Sequence, residues 1–328
     1  MTRADATGTA AAKDGAAPAL APEAADLLRR LIELGMRPYD EIGVLRARHA
    51  VESSRWMQGD KLEGVSTRDV LVAGGDGRVP ARVYHPDPGT TLPLTVWFHG
   101  GGWVAGSVAY ADRPCRAIAK ESGTVVVSVE YRRPPETPFP GPLDDAVAAT
   151  TWLAEHAADL GADATHLTIA GDSAGGNLAA AAARRLRGRL DLQRQLLVYP
   201  ALAPPDPEKH PSHSHFAQGY MLTAQDMAWF WRHYLDGRDP VAPVPPDAAP
   251  LFTEDLDGLA PTSIAVAGFD PLRDEGMAYA ERLRDAGIDV HLREWPEMIH
   301  GFLGMGGELA QTAELIAWIA GELKAAST

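Results

Sequence analysis

Cysteine is almost missing from this chain: Cys115 is the only one in 328 residues. No intrachain disulfide can form, and nothing in the cysteine usage points to an oxidising compartment. With no base close to it in sequence, Cys115 reads as a small buried hydrophobe. Long apolar runs are missing too, and no stretch approaches the roughly 18 residues of a membrane-spanning helix. The opening segment MTRADATGTAAAKDGAAPALAPEA carries Asp5, Lys13 and Asp14 where a signal peptide would hold its apolar core. The expectation is a cytoplasmic protein with a flexible tail over residues 1–24 and no membrane insertion. Basic charge is also short. Thirty Lys and Arg against 44 Asp and Glu leave a net charge of −14, which repels phosphate backbones and argues against a nucleic-acid partner.

The rest of the chain has the texture of an α/β protein. Helical spacing of Leu27, Leu28, Leu31 and Ile32, then of Ile42, Val44 and Leu45, predicts two helices separated by Pro38. STRDVLVAG and GRVPARVYHP flank the turn GGDG and predict an antiparallel hairpin. Short apolar runs then alternate with helical stretches. The predicted strands are 94–98, 124–131, 167–170, 195–199, 263–268 and 289–295, and this alternation argues a mostly parallel sheet covered on both faces. Residues 203–246 break the rhythm with a Pro/His-rich loop (APPDPEKHPSHSHF), an aromatic helix (TAQDMAWFWRHYL) and a second Pro-rich loop. An insertion of this length between strands is often a lid. The expected organisation is N-terminal cap helices over 25–64, a main domain over 65–202 and 247–328, and a cap insertion over 203–246.

Between strand and helix stands Gly171-Asp172-Ser173-Ala174-Gly175. A G-x-S-x-G corner fits a nucleophile elbow, in which a strained turn lifts the serine hydroxyl above the sheet. A Cβ at the flanking glycines would collide with the strand and helix. A phosphate-binding loop fits poorly, because no Gly-Lys-Ser/Thr ending follows. Serine needs a base and the base an acid, and behind such an elbow they come in the order Ser, acid, His. His210, His213, His215 and His233 fall in the insertion and His291 in a strand, which leaves His300 in the loop EMIHGF. In SIAVAGFDPLRDEG, Asp270 stands where the strand ends, while Asp274 and Glu275 read as first-turn acids of the next helix. Upstream, LTVWFHGGGW closes a strand with three glycines whose backbone can approach a developing oxyanion.

HGGGW, YRRPPETPFP, GDSAGGN, AGFDPLRDEG and MIHGF, in that order over about residues 94–303, resemble the hormone-sensitive lipase family of α/β-hydrolases, the bacterial family IV carboxylesterases. The resemblance implies an α/β-hydrolase fold with a helical cap. It implies Ser173 as nucleophile, Asp270 as acid, His300 as base, and an oxyanion hole from the N–H groups of Gly101, Gly102 and Ala174. His99 is implied to hold the glycine loop by hydrogen bonding. The substrate is expected to be a small-molecule carboxylic ester of short to medium chain, cleaved without metal or organic cofactor. The family also brings a homodimer into consideration. One departure stands at Arg133-Pro134, where family members usually have Leu-Ala.

Parts of the sequence fit other chemistry as well. HPSHSH crowds His210, His213 and His215 into six residues, but no cysteine or carboxylate stands at ligand spacing, so solvated or cap-packing histidines are expected rather than a metal site. Trp229, Phe230 and Trp231 suit either an acyl pocket or the cap's own core. An amidase or deacetylase would use the same triad. A non-catalytic small-molecule-binding protein of this fold would be expected to lose its histidine, and His300 is present.

Overall fold

A computed structural model describes residues 19–238 and 243–327. The expected tail therefore lies mostly outside the described residues, as do four residues of the insertion's second Pro-rich loop. Strands β1 (Ser66–Gly74) and β2 (Gly77–His85) form the antiparallel hairpin, with Gly74 opposite Gly77 across the turn. Six more follow: β3 (Leu92–Phe98), β4 (Val125–Val129), β5 (Ala162–Asp172), β6 (Leu192–Val198), β7 (Thr262–Phe269) and β8 (Val290–Ile299). They lie in the order β1-β2-β4-β3-β5-β6-β7-β8, and every pair from β4 to β8 is parallel.

Helices cover the sheet. The N-terminal helices are α1 (Pro22–Glu33) and α2 (Tyr39–Ser53), followed by α3 (Asp112–Ser122), α4 (Gly141–Glu155) and α5 (Ala174–Leu186). The insertion carries α6 (Ser212–His215) and α7 (Ala224–Tyr234); α8 (Arg273–Asp285) and α9 (Gln311–Ala325) complete the chain. All five residues of β4 are buried, as a two-sided parallel sheet requires. The alanine run of α5 is buried almost throughout, and its short side chains let the helix lie close against β5 and β6.

The two N-terminal helices part company. The α1 segment lies against the C-terminal region: the Ala21 N–H donates to the Glu297 carbonyl at 3.1 Å, and Arg30 pairs with Glu308. The α2 helix instead meets α7. The Tyr39 N–H donates to Asp226 Oδ1 at 2.6 Å, and the Tyr39 and Phe230 rings stand 5.4 Å apart. Asp226 also completes a capping box with Thr223 at the start of α7.

Candidate active site

Ser173 stands between β5 and α5 with φ 55° and ψ −121°, a left-handed backbone that a non-glycine residue adopts only under constraint. The constraint is visible. The Ser173 N–H donates to the Val198 carbonyl at 2.9 Å, and the Ser173 carbonyl accepts N–H groups from Asn177 and Ala201. A Cβ on Gly175 would stand 1.9 Å from the Phe98 carbonyl oxygen, so only glycine lets the helix approach the strand this closely.

His300 follows the last residue of β8, and Asp270 the last residue of β7. The Ser173 hydroxyl lies 3.0 Å from His300 Nε2, and His300 Nδ1 lies 2.7 Å from Asp270 Oδ2. A carboxylate only accepts, so Nδ1 carries the proton and Nε2 is the acceptor for the serine. The second carboxylate oxygen, Oδ1, accepts the Leu272 N–H at 2.9 Å. Asp270 is fully buried. Asp274 points elsewhere, to the Ser212 N–H and to Arg273.

The glycine loop stands opposite. Gly101, Gly102 and Ala174 line the same cavity as Ser173 and His300. Among the described residues, none of the three donates its N–H to a turn or loop carbonyl. His99 is wholly buried, and burial lowers its pKa, which keeps the ring neutral. Its Nδ1–H donates to the Gly100 carbonyl at 2.8 Å, while Tyr131 stacks on the ring and donates to the His99 carbonyl at 2.8 Å. The departure at Arg133 also bears on this loop, since its guanidinium donates to the Gly106 carbonyl.

A family model described as an alpha/beta hydrolase fold matches residues 95–304, from the middle of β3 past His300. The chain belongs to that family. Within it, the chain falls in the hormone-sensitive lipase branch of bacterial carboxylesterases. It is 40% identical over 294 residues to the carboxylic ester hydrolase LipN of Mycobacterium tuberculosis, covering 86% of this chain and 77% of that protein. It is 35% identical over 270 residues to an ethyl acetate hydrolase of Pseudomonas putida, covering 80% and 84%. Among solved structures, the hyperthermophilic esterase of the archaeon Pyrobaculum calidifontis superposes with a TM-score of 0.87 at 37% identity, covering 94% of this chain and 99% of that one. The chain is a carboxylic ester hydrolase.

In this hydrolase the aromatic helix divides its labour. Phe230 and Trp231 line the cavity, whereas Trp229 packs on Phe230 and His233. Phe230 lies directly over Gly102, where a Cβ would meet its ring at 2.1 Å. Trp231 is also core, set edge-on against Trp103 with ring centroids 4.7 Å apart. The pocket-or-core alternative thus resolves residue by residue. No helix among the described residues is long and apolar enough to cross a membrane.

The histidine-rich stretch separates as well. His215 is exposed, His210 sets its ring edge-on to His213, and His213 is buried against Glu275. Among the described residues no three His, Cys, Asp or Glu side chains stand together as a metal site would require. Glu275 is more than a first-turn acid: it is fully buried, and its Oε1 accepts the Leu202 N–H at 2.6 Å. Nothing in its local sequence distinguishes it from an exposed helix-start glutamate.

Asp172, beside the nucleophile, accepts the Trp97 indole N–H at 3.1 Å, and desolvation pushes its carboxyl up to about 6. The native pKa stands above the unfolded value, so the folded protein holds this proton more tightly between about pH 4 and 6. Stability from this group is therefore present at low pH and lost as pH rises through 6. Asn keeps the shape and cannot ionise. The stability of the wild type relative to Asp172→Asn is expected to fall by about 1–2 kcal/mol from pH 4.5 to pH 7. Urea titrations at the two pH values check it, and a difference independent of pH would contradict it.

Proposed function

We propose that the enzyme hydrolyses short- to medium-chain carboxylic esters by two-step acyl transfer through Ser173. The reading is carried by one observation: an unbroken hydrogen-bonded line from Ser173 Oγ through His300 to the buried Asp270, opening into a cavity walled by aromatic side chains. Ser173 attacks the ester carbonyl as His300 Nε2 takes its proton, and Asp270 stabilises the resulting imidazolium. The carbonyl oxygen gathers charge among the N–H groups of Gly101, Gly102 and Ala174, where one donor contributes about 3–4 kcal/mol. Ala174 opens α5, so its N–H has no partner within the helix and lies at the positive end of the helix dipole. His300 then protonates the leaving alcohol, and water repeats the sequence to free the acid.

In this reading α2 and the described residues of the 203–246 insertion form the cap, tied together by Tyr39 and Asp226 and bringing Phe230 down onto the oxyanion loop. A wall this close to Gly102 limits the length of substrate that fits. Across p-nitrophenyl esters of increasing acyl length, with Ser173→Ala as blank, kcat/KM is expected to peak at short to medium chains. Activity that keeps rising toward long acyl chains would contradict the proposal.

A further inference from the structure

Ser212 stands in the middle of HPSHSH, on the insertion, and is 1% exposed. Its hydroxyl donates to the Pro271 carbonyl at 2.6 Å. That carbonyl and the Leu272 N–H belong to one trans peptide group, which is planar and carries the two on opposite edges. The Leu272 N–H in turn donates to Asp270 Oδ1, and Oδ2 of the same carboxylate receives the His300 Nδ1–H. We propose that Ser212 is a positioning residue for the triad: its hydroxyl fixes the Pro271–Leu272 peptide, and that peptide aims the Asp270 carboxylate at His300. The inference rests on the triad reading above.

The physical case has two parts. A plane gripped at its carbonyl edge cannot swing its N–H away from Asp270, so the carboxylate keeps one rotation. Each bond in such a chain also polarises the next, and the buried, water-poor setting strengthens the effect. Ser212 is itself held by two further hydrogen bonds, one at its backbone and one at its hydroxyl. The Ser212 N–H donates to Asp274 Oδ2 at 2.7 Å, and the Asp274 N–H donates back to Ser212 Oγ at 3.2 Å. Next door, His213 Nδ1 accepts the Asp206 N–H at 2.9 Å, which leaves Nε2 to carry the proton and donate to Glu275 Oε2 at 3.1 Å. The insertion is therefore stitched to the Asp270 loop and the first turn of α8 at two successive residues, 212 and 213. An insertion that contributes no triad member thus reaches the triad through one peptide plane.

The test compares wild type, Ser212→Ala, Ser212→Cys and Ser212→Thr as full chains. A misaimed acid weakens the transition state and leaves ester binding alone. Ser212→Ala is expected to lower kcat for p-nitrophenyl butyrate roughly five- to tenfold, the size one neutral hydrogen bond carries, with KM within about twofold. It is expected to shift or broaden the downfield proton resonance of the His300 Nδ1–H. Ser212→Thr, which keeps the hydroxyl, is expected to recover most of the loss. Should Ser212→Ala fail to fold, Ser212→Cys carries the test, since a thiol fills the site but donates weakly. Wild-type kcat in Ser212→Ala or Ser212→Cys, or an unmoved resonance, would overturn the positioning role. Labelling by a phosphonate ester separates the two ideas: a wild type not labelled at Ser173 overturns the triad reading and this inference together, while a labelled wild type with unaffected Ser212 variants overturns this inference alone.

Discussion

Ser173→Ala is expected to lower kcat for short-chain p-nitrophenyl esters by roughly 10⁶-fold, the scale on which removing the nucleophile of a triad acts. The substitution deletes the Oγ that lies 3.0 Å from His300 Nε2 and leaves no other hydroxyl in that line. It leaves the corner itself alone. The left-handed turn is held by backbone bonds to Val198, Asn177 and Ala201, none of which involves the hydroxyl. The thermal midpoint is therefore expected to stay within a few degrees of the wild type, and circular dichroism beside the ester assay checks both halves. Turnover that persists in a folded Ser173→Ala protein would remove the serine from the chemistry.

Asp270→Asn is expected to cost about 10⁴-fold in kcat, by the wrong-tautomer effect. The amide oxygen would keep the Leu272 N–H and so present its NH₂ to His300 Nδ1. A donor facing Nδ1 forces the imidazole proton onto Nε2, where it can no longer accept from Ser173. Asp274→Asn offers the internal comparison. Its carbonyl can still accept the Ser212 N–H, and it makes no contact with His300, so a loss below about tenfold is expected. Steady-state kinetics of the two variants decide the matter; a larger loss at Asp274 would move the acid there.

Much of this site is legible in the sequence because its parts are local. GDSAGG specifies the strained corner by itself, since the glycines and the serine that need one another are neighbours in sequence. Asp270 and His300 were legible by exclusion and chain order, because each follows the end of a strand that a run of apolar residues announces. Strand limits were harder. The run at 167–170 announces β5, but the strand begins at Ala162, and only Ala162 and Asp163 pair with β3 before the ladder resumes at Leu167. Helix limits are no easier: α4 ends at Glu155, and a short 3-10 turn over Ala157–Leu160 follows it, closed by Gly161 at φ 70°.

What stayed hidden depends on partners far away in sequence. Glu275 and His213 are 62 residues apart, and Ser212 and Pro271 are 59 apart. A glutamate in a first helical turn is usually solvated, and only the packing of the insertion shows that this one is buried and paired. The same holds for Phe230. Its aromatic neighbours in sequence are equal candidates for the pocket, and only the meeting of α7 with the glycine loop places Phe230 and Trp231 in the wall and leaves Trp229 out of it.

Whether one serine carries the acyl group can be measured directly. The purified enzyme is incubated with a p-nitrophenyl phosphonate, the released nitrophenol is counted, and the modified peptide is mapped by mass spectrometry. One equivalent of nitrophenol per chain is expected, with loss of ester hydrolysis in step with it and a single adduct on Ser173. An adduct on another residue, or full hydrolytic activity with Ser173 unmodified, would contradict it.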